Sequence, residues 1–185
     1  MSAFYLTWIA VLLTGFGARD QGTIAGLTRR QGKRPGVLLV ALASAVLTAA
    51  AAAWAANLLL ATLPPPARAI FAGLALAMAG GELLLFVPKR SPKEPTNSLG
   101  ALSLVLFAQE LTDAARFLVF GLGVGLAAPY AAGAGGALGG AVLAGLAWGA
   151  PHMLEWRGLQ WIRRTIGVLL LLAAIVLFLR EFSLV

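Results

Sequence analysis

Two short stretches of an otherwise apolar chain carry side chains that could do chemistry. Residues 107–116 read F-A-Q-E-L-T-D-A-A-R and set Gln109, Glu110, Asp113 and Arg116 within eight positions; residues 17–23 read G-A-R-D-Q-G-T and hold Arg19, Asp20, Gln21 and Thr23. On a helix, positions three and four apart share a face. Continuous helices would therefore align Glu110, Asp113 and Arg116 in one stripe, with Gln109 beside it, and put Asp20 on one face with Thr23 and Gly17. A charge at the bilayer centre costs ~2.5–3.5 kcal/mol on insertion scales, so these groups must face the interior of a bundle. Two chemistries fit. In the first, the carboxylates of Asp20, Glu110 and Asp113, with the neutral oxygens of Thr23, Gln21 and Gln109, replace the hydration shell of a hard divalent cation. In the second, the charges are structural: Asp113 with Arg116 on one helix, and Arg19 with Glu110 or Asp20 with Arg116 between helices. Setting Arg19 and Arg116 against the three acids leaves one negative charge over. Residue types alone leave both readings open.

The elements that position these residues follow from composition. The 185 residues are 60% hydrophobic and 11% charged, with mean hydropathy +0.89; a soluble domain carries about 25% charged residues. Six apolar runs can be drawn, at 4–28, 35–61, 68–87, 98–125, 129–150 and 162–183. Each is long enough to cross a bilayer as a helix, which takes ~20 residues, and none alternates like a barrel strand. The expectation is an all-α polytopic membrane protein with six transmembrane helices. Residues 1–18 lack the basic start of a signal peptide and are read as a transmembrane helix. With no cysteine and one histidine, His152, thiolate chemistry is excluded and a structural zinc site is disfavoured.

The net charge of +7 does not point to nucleic acid, because it lies in connectors rather than on a soluble face. Arg29, Arg30, Lys33 and Arg34 separate the first two runs; Lys89, Arg90 and Lys93 the third and fourth; Arg157, Arg163 and Arg164 the last two. The alternate connectors carry only Arg68 or no basic residue at all. Basic short loops mark the cytoplasmic side, so both termini fall on the non-cytoplasmic face, in a bacterial inner (plasma) membrane. The proline-rich stretch 88–97, P-K-R-S-P-K-E-P-T-N, reads as a cytoplasmic linker between two three-helix units, 1–87 and 98–185. Three is odd, so the units enter the membrane in opposite directions, as in inverted repeats. Asp20 precedes Pro35 by fifteen residues and Asp113 precedes Pro129 by sixteen, matching helix starts in the two halves.

Other features take blander readings. Glu82, six residues before Pro88, is expected to reach the interface, with a gate or second ligand position as the alternative. Gly135/Gly139 and Gly136/Gly140 have the four-residue spacing of close helix packing, with a homodimer through the same face as the alternative. The segment 152–164, with Trp156, Trp161 and several arginines, reads as an interfacial anchor. A site built on His152 and Glu155 is disfavoured.

The two polar clusters resemble the paired motif Glu-x-Gly-Asp-Lys/Arg-Ser/Thr of the Gdt-type cation/proton exchangers of the LysE superfamily, which have six helices in two inverted halves. Glu110 and Asp113 stand at both acidic positions of the second motif and Asp20 at the aspartate position of the first. Gly17 stands where the first glutamate belongs, Arg19 and Thr112 at the two glycine positions, and Gln21-Gly22 and Ala114-Ala115 at the basic-hydroxyl pairs. The resemblance implies a transporter that exports a divalent cation, Mn²⁺ or Ca²⁺, in exchange for protons. A buried carboxylate can take up a proton where a bound cation would favour its ionised form, and that competition would be the coupling. No resident cofactor is expected; the partners would be the bilayer, the ion and the proton. The alternatives are a diverged scaffold whose arginines lock the core, or an exporter of another small solute such as an amino acid. An enzyme ranks last, since carboxylates alone would have to carry the chemistry.

Overall fold

The computed structural model describes residues 2–86, 97–156 and 158–182, so the expected linker, Asn97 apart, and Arg157 lie outside the described residues. The described chain is helical: α1 (Ser2–Gly15), α2 (Arg19–Gln31), α3 (Pro35–Leu60), α4 (Pro65–Leu85), α5 (Leu99–Leu111), α6 (Ala114–Gly125), α7 (Pro129–Gly149), a 3-10 segment (Pro151–Glu155) and α8 (Leu159–Glu181). Of these, α3, α4, α7 and α8 are long and apolar enough to cross a membrane. The shortest have 21 residues, about 31 Å at the helical rise, against a hydrocarbon core of about 30 Å. Large apolar side chains such as Leu39, Trp54 and Leu104 face outward. The architecture is consistent with an integral membrane protein.

Proline opens α3, α4 and α7, where its missing N–H breaks no helical hydrogen bond. Pro65 and Pro66 are the first two residues of α4, and Pro64 precedes it.

The main departure from the sequence reading is that 4–28 and 98–125 are not single helices. The first run breaks after Gly15. Gly17 adopts φ +76°, a left-handed conformation that only glycine holds cheaply, and Ala18 is extended ahead of α2. The second run breaks at Thr112–Asp113, where Asp113 is extended (φ −95°, ψ 150°) and stands at the N-cap position of α6 without a side-chain capping bond. The resulting half-helices have 14 and 13 residues in the first case and 13 and 12 in the second. The expected stripe of Glu110, Asp113 and Arg116 on one helical face therefore does not exist; Glu110 belongs to α5 and Arg116 to α6.

Packing pairs α3 with α7 and α4 with α8, while α1 lies on α7 and α5 on α3. Small residues make this approach close. A Cβ on Gly135 would meet the Phe4 carbonyl of α1, and one on Gly136 would meet Val119 of α6. Both glycine faces are covered within the chain, so a homodimer would need another surface. Because the Gly135 neighbour is backbone, which cannot swing away, Gly135→Val is expected to cost about 1–3 kcal/mol or more through overpacking. Thermal unfolding in detergent, compared with that of a lipid-facing Leu104→Val, checks this.

Candidate functional site

The two breaks lie side by side. Arg19, the first residue of α2, donates from Nη2 to the Thr112 carbonyl (2.9 Å) and to Thr112 Oγ1 (3.0 Å) at the end of α5. Thr23 donates its hydroxyl to Gln109 Oε1 (3.1 Å), a second bridge between α2 and α5. Four carboxylates and three guanidinium groups gather around this junction in three arrangements.

The first is closed on itself. Arg116, buried, donates from Nε to Thr48 Oγ1 of α3 (2.7 Å) and from Nη2 to Glu110 Oε2 and the Ala45 carbonyl (both 3.2 Å). The Thr48 hydroxyl donates to the same Glu110 oxygen (2.6 Å), with the Ser44 carbonyl at 2.8 Å as a second acceptor. Gly140 makes room: a Cβ there would stand 2.9 Å from Arg116 Nη2.

The second centres on Glu82 of α4, which is buried among the helices rather than exposed at the surface. Arg163 Nη2 donates to its Oε2 at 3.2 Å, and Arg19 Nε stands 3.8 Å from its Oε1. Arg163 Nη1 also donates to the carbonyls of Thr14 (3.0 Å) and Phe16 (3.3 Å), at the end of α1. Arg19 lies over the Phe86 ring at 5.0 Å.

The third is the aspartate pair. Asp20 sits in the first turn of α2 and Asp113 at the residue preceding α6. Each has an enclosed Oδ1 without a hydrogen-bond partner. Asp113 and Glu110 are the charges acting most strongly on Asp20, while Asp113 also lies in the field of Arg163, Arg116 and Arg19. Neither aspartate joins an ion pair within 4.0 Å among the described residues. Beside them, Gln21 is fully buried; its Oε1 accepts from the Gly17 N–H (2.8 Å) and its Nε2 has no partner.

Family models, curated proteins and solved structures all fail to match this chain.

The arrangement thus revises the expected pairings. Arg116 pairs with Glu110 rather than with Asp113 or Asp20, and Arg19 pairs with Glu82 rather than with Glu110. Of the proposed ligands, Glu110 is engaged by Arg116 and Thr48, while Thr23 and Gln109 bond to each other. Among the described residues, no three acidic or histidine side chains stand together as a ready metal cluster. Asp20 and Asp113 are the acids of this junction that stand outside its ion pairs among the described residues. Two carboxylates enclosed near each other need positive charge between them, and either a proton or a cation can supply it.

The sequence reads Arg163 as part of an anchor and Glu82 as an interfacial acid with a gate or second ligand position as its alternative; both side chains are buried. Arg163 adjoins Arg164 and Trp161 in a stretch that reads as an anchor, and its neighbours Trp161 and Ile162 are exposed as expected. The available signal was the helical phase of Arg163, which it shares with buried Leu159 and Gly167, four residues to either side. Glu155 is held by Arg29 at 2.7 Å near the surface. Removing that pair by Glu155→Gln should cost about 1 kcal/mol at most, less in high salt, as read by thermal unfolding at two ionic strengths.

Proposed function

We propose that the protein is a small secondary transporter that exports a divalent cation, Mn²⁺ or Ca²⁺, in exchange for protons. Asp20 and Asp113 hold the ion or the protons in turn. The observation that carries this reading is the pair of aspartates contributed by two separate helix breaks, each with an enclosed oxygen that no group among the described residues satisfies. Discontinuous helices meeting near the bilayer midplane are the usual framework of transporter sites. In the ion-loaded state Gln109 and Thr23, now bonded to each other, would turn their oxygens toward the cation.

Six crossings in two inverted repeats fit the same reading, with α1–α2 and α5–α6 each counted as one interrupted crossing. The half-helices match closely in length, Pro35 and Pro129 open the following helices, and part of the packing is reciprocal: α1 on α7 answers α5 on α3, and α1 on α6 answers α2 on α5, whereas α4 on α6 has no matching α8 on α2 among the described residues. With both termini non-cytoplasmic, the basic connectors would face the cytoplasm. The test is uptake of Mn²⁺ and Ca²⁺ by proteoliposomes under an imposed pH gradient. Flux that follows the opposing proton gradient is expected; flux equal to that of protein-free vesicles contradicts the proposal.

A second reading, a non-transporting scaffold, is favoured by the arginines. The carbonyls that end a broken helix are natural cation partners, yet Arg163 and Arg19 occupy them here. Calorimetric titration with Mn²⁺ separates the two, since the scaffold would bind none. Export of another small solute rests on a cavity of about 370 Å³ between α3, α4 and α6, apolar except for Arg116.

A further inference from the structure

Each broken helix leaves the carbonyls of its first half without helical partners, and the negative end of the helix dipole lies there. The two breaks meet this in the same way. Arg163 of α8 binds the Thr14 and Phe16 carbonyls at the end of α1, and Arg19 binds the Thr112 carbonyl at the end of α5. These two arginines come from different helices and serve different breaks, yet both converge on one carboxylate, Glu82. Neither break nor motif contains Glu82; it comes from α4, which packs against both α6 and α8. Its Oε1 has no hydrogen-bond donor and Arg19 stands off at 3.8 Å, so the Arg19 arm is the looser one. Arg19 is also the more exposed arginine, 28% against 3% for the Arg163 side chain.

We infer that Glu82 is the positioning residue that couples the two helix breaks, holding Arg163 and Arg19 on the half-helix ends so that the aspartate pair is closed to water from both sides together. Losing the Glu82 charge removes the one carboxylate within 4.0 Å of either guanidinium among the described residues, and both are then drawn toward water. The breaks would open as a unit. Losing one arginine releases only its own break. This goes beyond the proposed transport and is read without any ion, so absence of Mn²⁺ flux and absence of coupling are separately visible.

The chain has no cysteine of its own, which allows a direct readout. Ala18 and Ala114 are both buried, Ala18 immediately ahead of α2 and Ala114 at the start of α6. A18C and A114C report water entry at each break through the labelling rate with a charged, water-soluble thiol reagent in proteoliposomes. Glu82→Gln is expected to speed labelling at both positions by about tenfold or more, and Glu82→Asp to return both most of the way. Arg163→Gln is expected to speed A18C alone and Arg19→Gln to speed A114C alone. If Glu82→Gln does not give monodisperse protein, the two arginine variants decide by their selectivity. Unchanged labelling in Glu82→Gln, a change at one break only, or equal acceleration of both positions by each arginine variant would overturn the inference.

Discussion

Asp113→Asn is expected to lower Mn²⁺ or Ca²⁺ flux in proteoliposomes by about tenfold or more, while the protein still folds. The asparagine keeps the size and one acceptor oxygen of the aspartate, and it can still occupy the extended capping position ahead of α6. What it loses is the charge that binds a hard cation and the basicity that accepts a proton. No ion pair within 4.0 Å is broken by the change, so stability should move little. The scaffold reading predicts the reverse, with no flux to lose and a cost in detergent stability. Flux and thermal unfolding measured on one preparation therefore distinguish the two. Flux equal to that of wild type would end the exchanger account.

Arg116→Met should have the largest effect on stability, about 3–5 kcal/mol. Methionine fills much of the arginine's volume, so the loss is electrostatic rather than a cavity. It strands Glu110, buried in the core with its side chain 4% exposed, and leaves the Ala45 carbonyl without the Nη2 donor. Glu110→Gln combined with Arg116→Met removes both charges and should recover a large part of the loss, because the penalty arises from the uncompensated charge rather than from the missing bond. Unfolding in detergent for the two single variants and the double variant gives the cycle. A strictly additive double variant would show that Glu110 and Arg116 do not act as a pair.

Much of this architecture was legible before any coordinates. Apolar runs and the prolines at 35 and 129 mark α3, α7 and α8 to within a few residues, since a membrane helix must satisfy its own backbone and so keeps its length in the sequence. The breaks were not legible, because periodicity treats an apolar run as a continuous rod and an excursion of two or three residues leaves little trace in it. Two local signals existed. Gly15-Phe16-Gly17 supplies the glycine that a positive φ requires, and Thr112-Asp113 offers a capping aspartate ahead of a new helix. Gly17 also gives physical content to its place in the motif. At φ +76° and packed on Leu159, that position could not hold a glutamate without strain.

The candidate site was half legible. Asp20, Glu110, Asp113, Arg19 and Arg116 do come together, because charges in an apolar chain have nowhere else to go. Their pairing was not, since it depends on Thr48, Glu82 and Arg163, which join from α3, α4 and α8 through contacts separated by 62 to 149 positions in the sequence. No local spacing rule reaches that far.

The central claim is that ion and proton compete for one enclosed pair of aspartates. Its most direct measurement is proton release when Mn²⁺ is added to the purified protein in weakly buffered detergent solution, followed with a pH indicator alongside calorimetric binding. Wild type is expected to release about one to two protons per Mn²⁺ bound, and the Asp20→Asn/Asp113→Asn double variant none. Failure of the wild type to bind Mn²⁺, or binding with no proton released, would contradict the account.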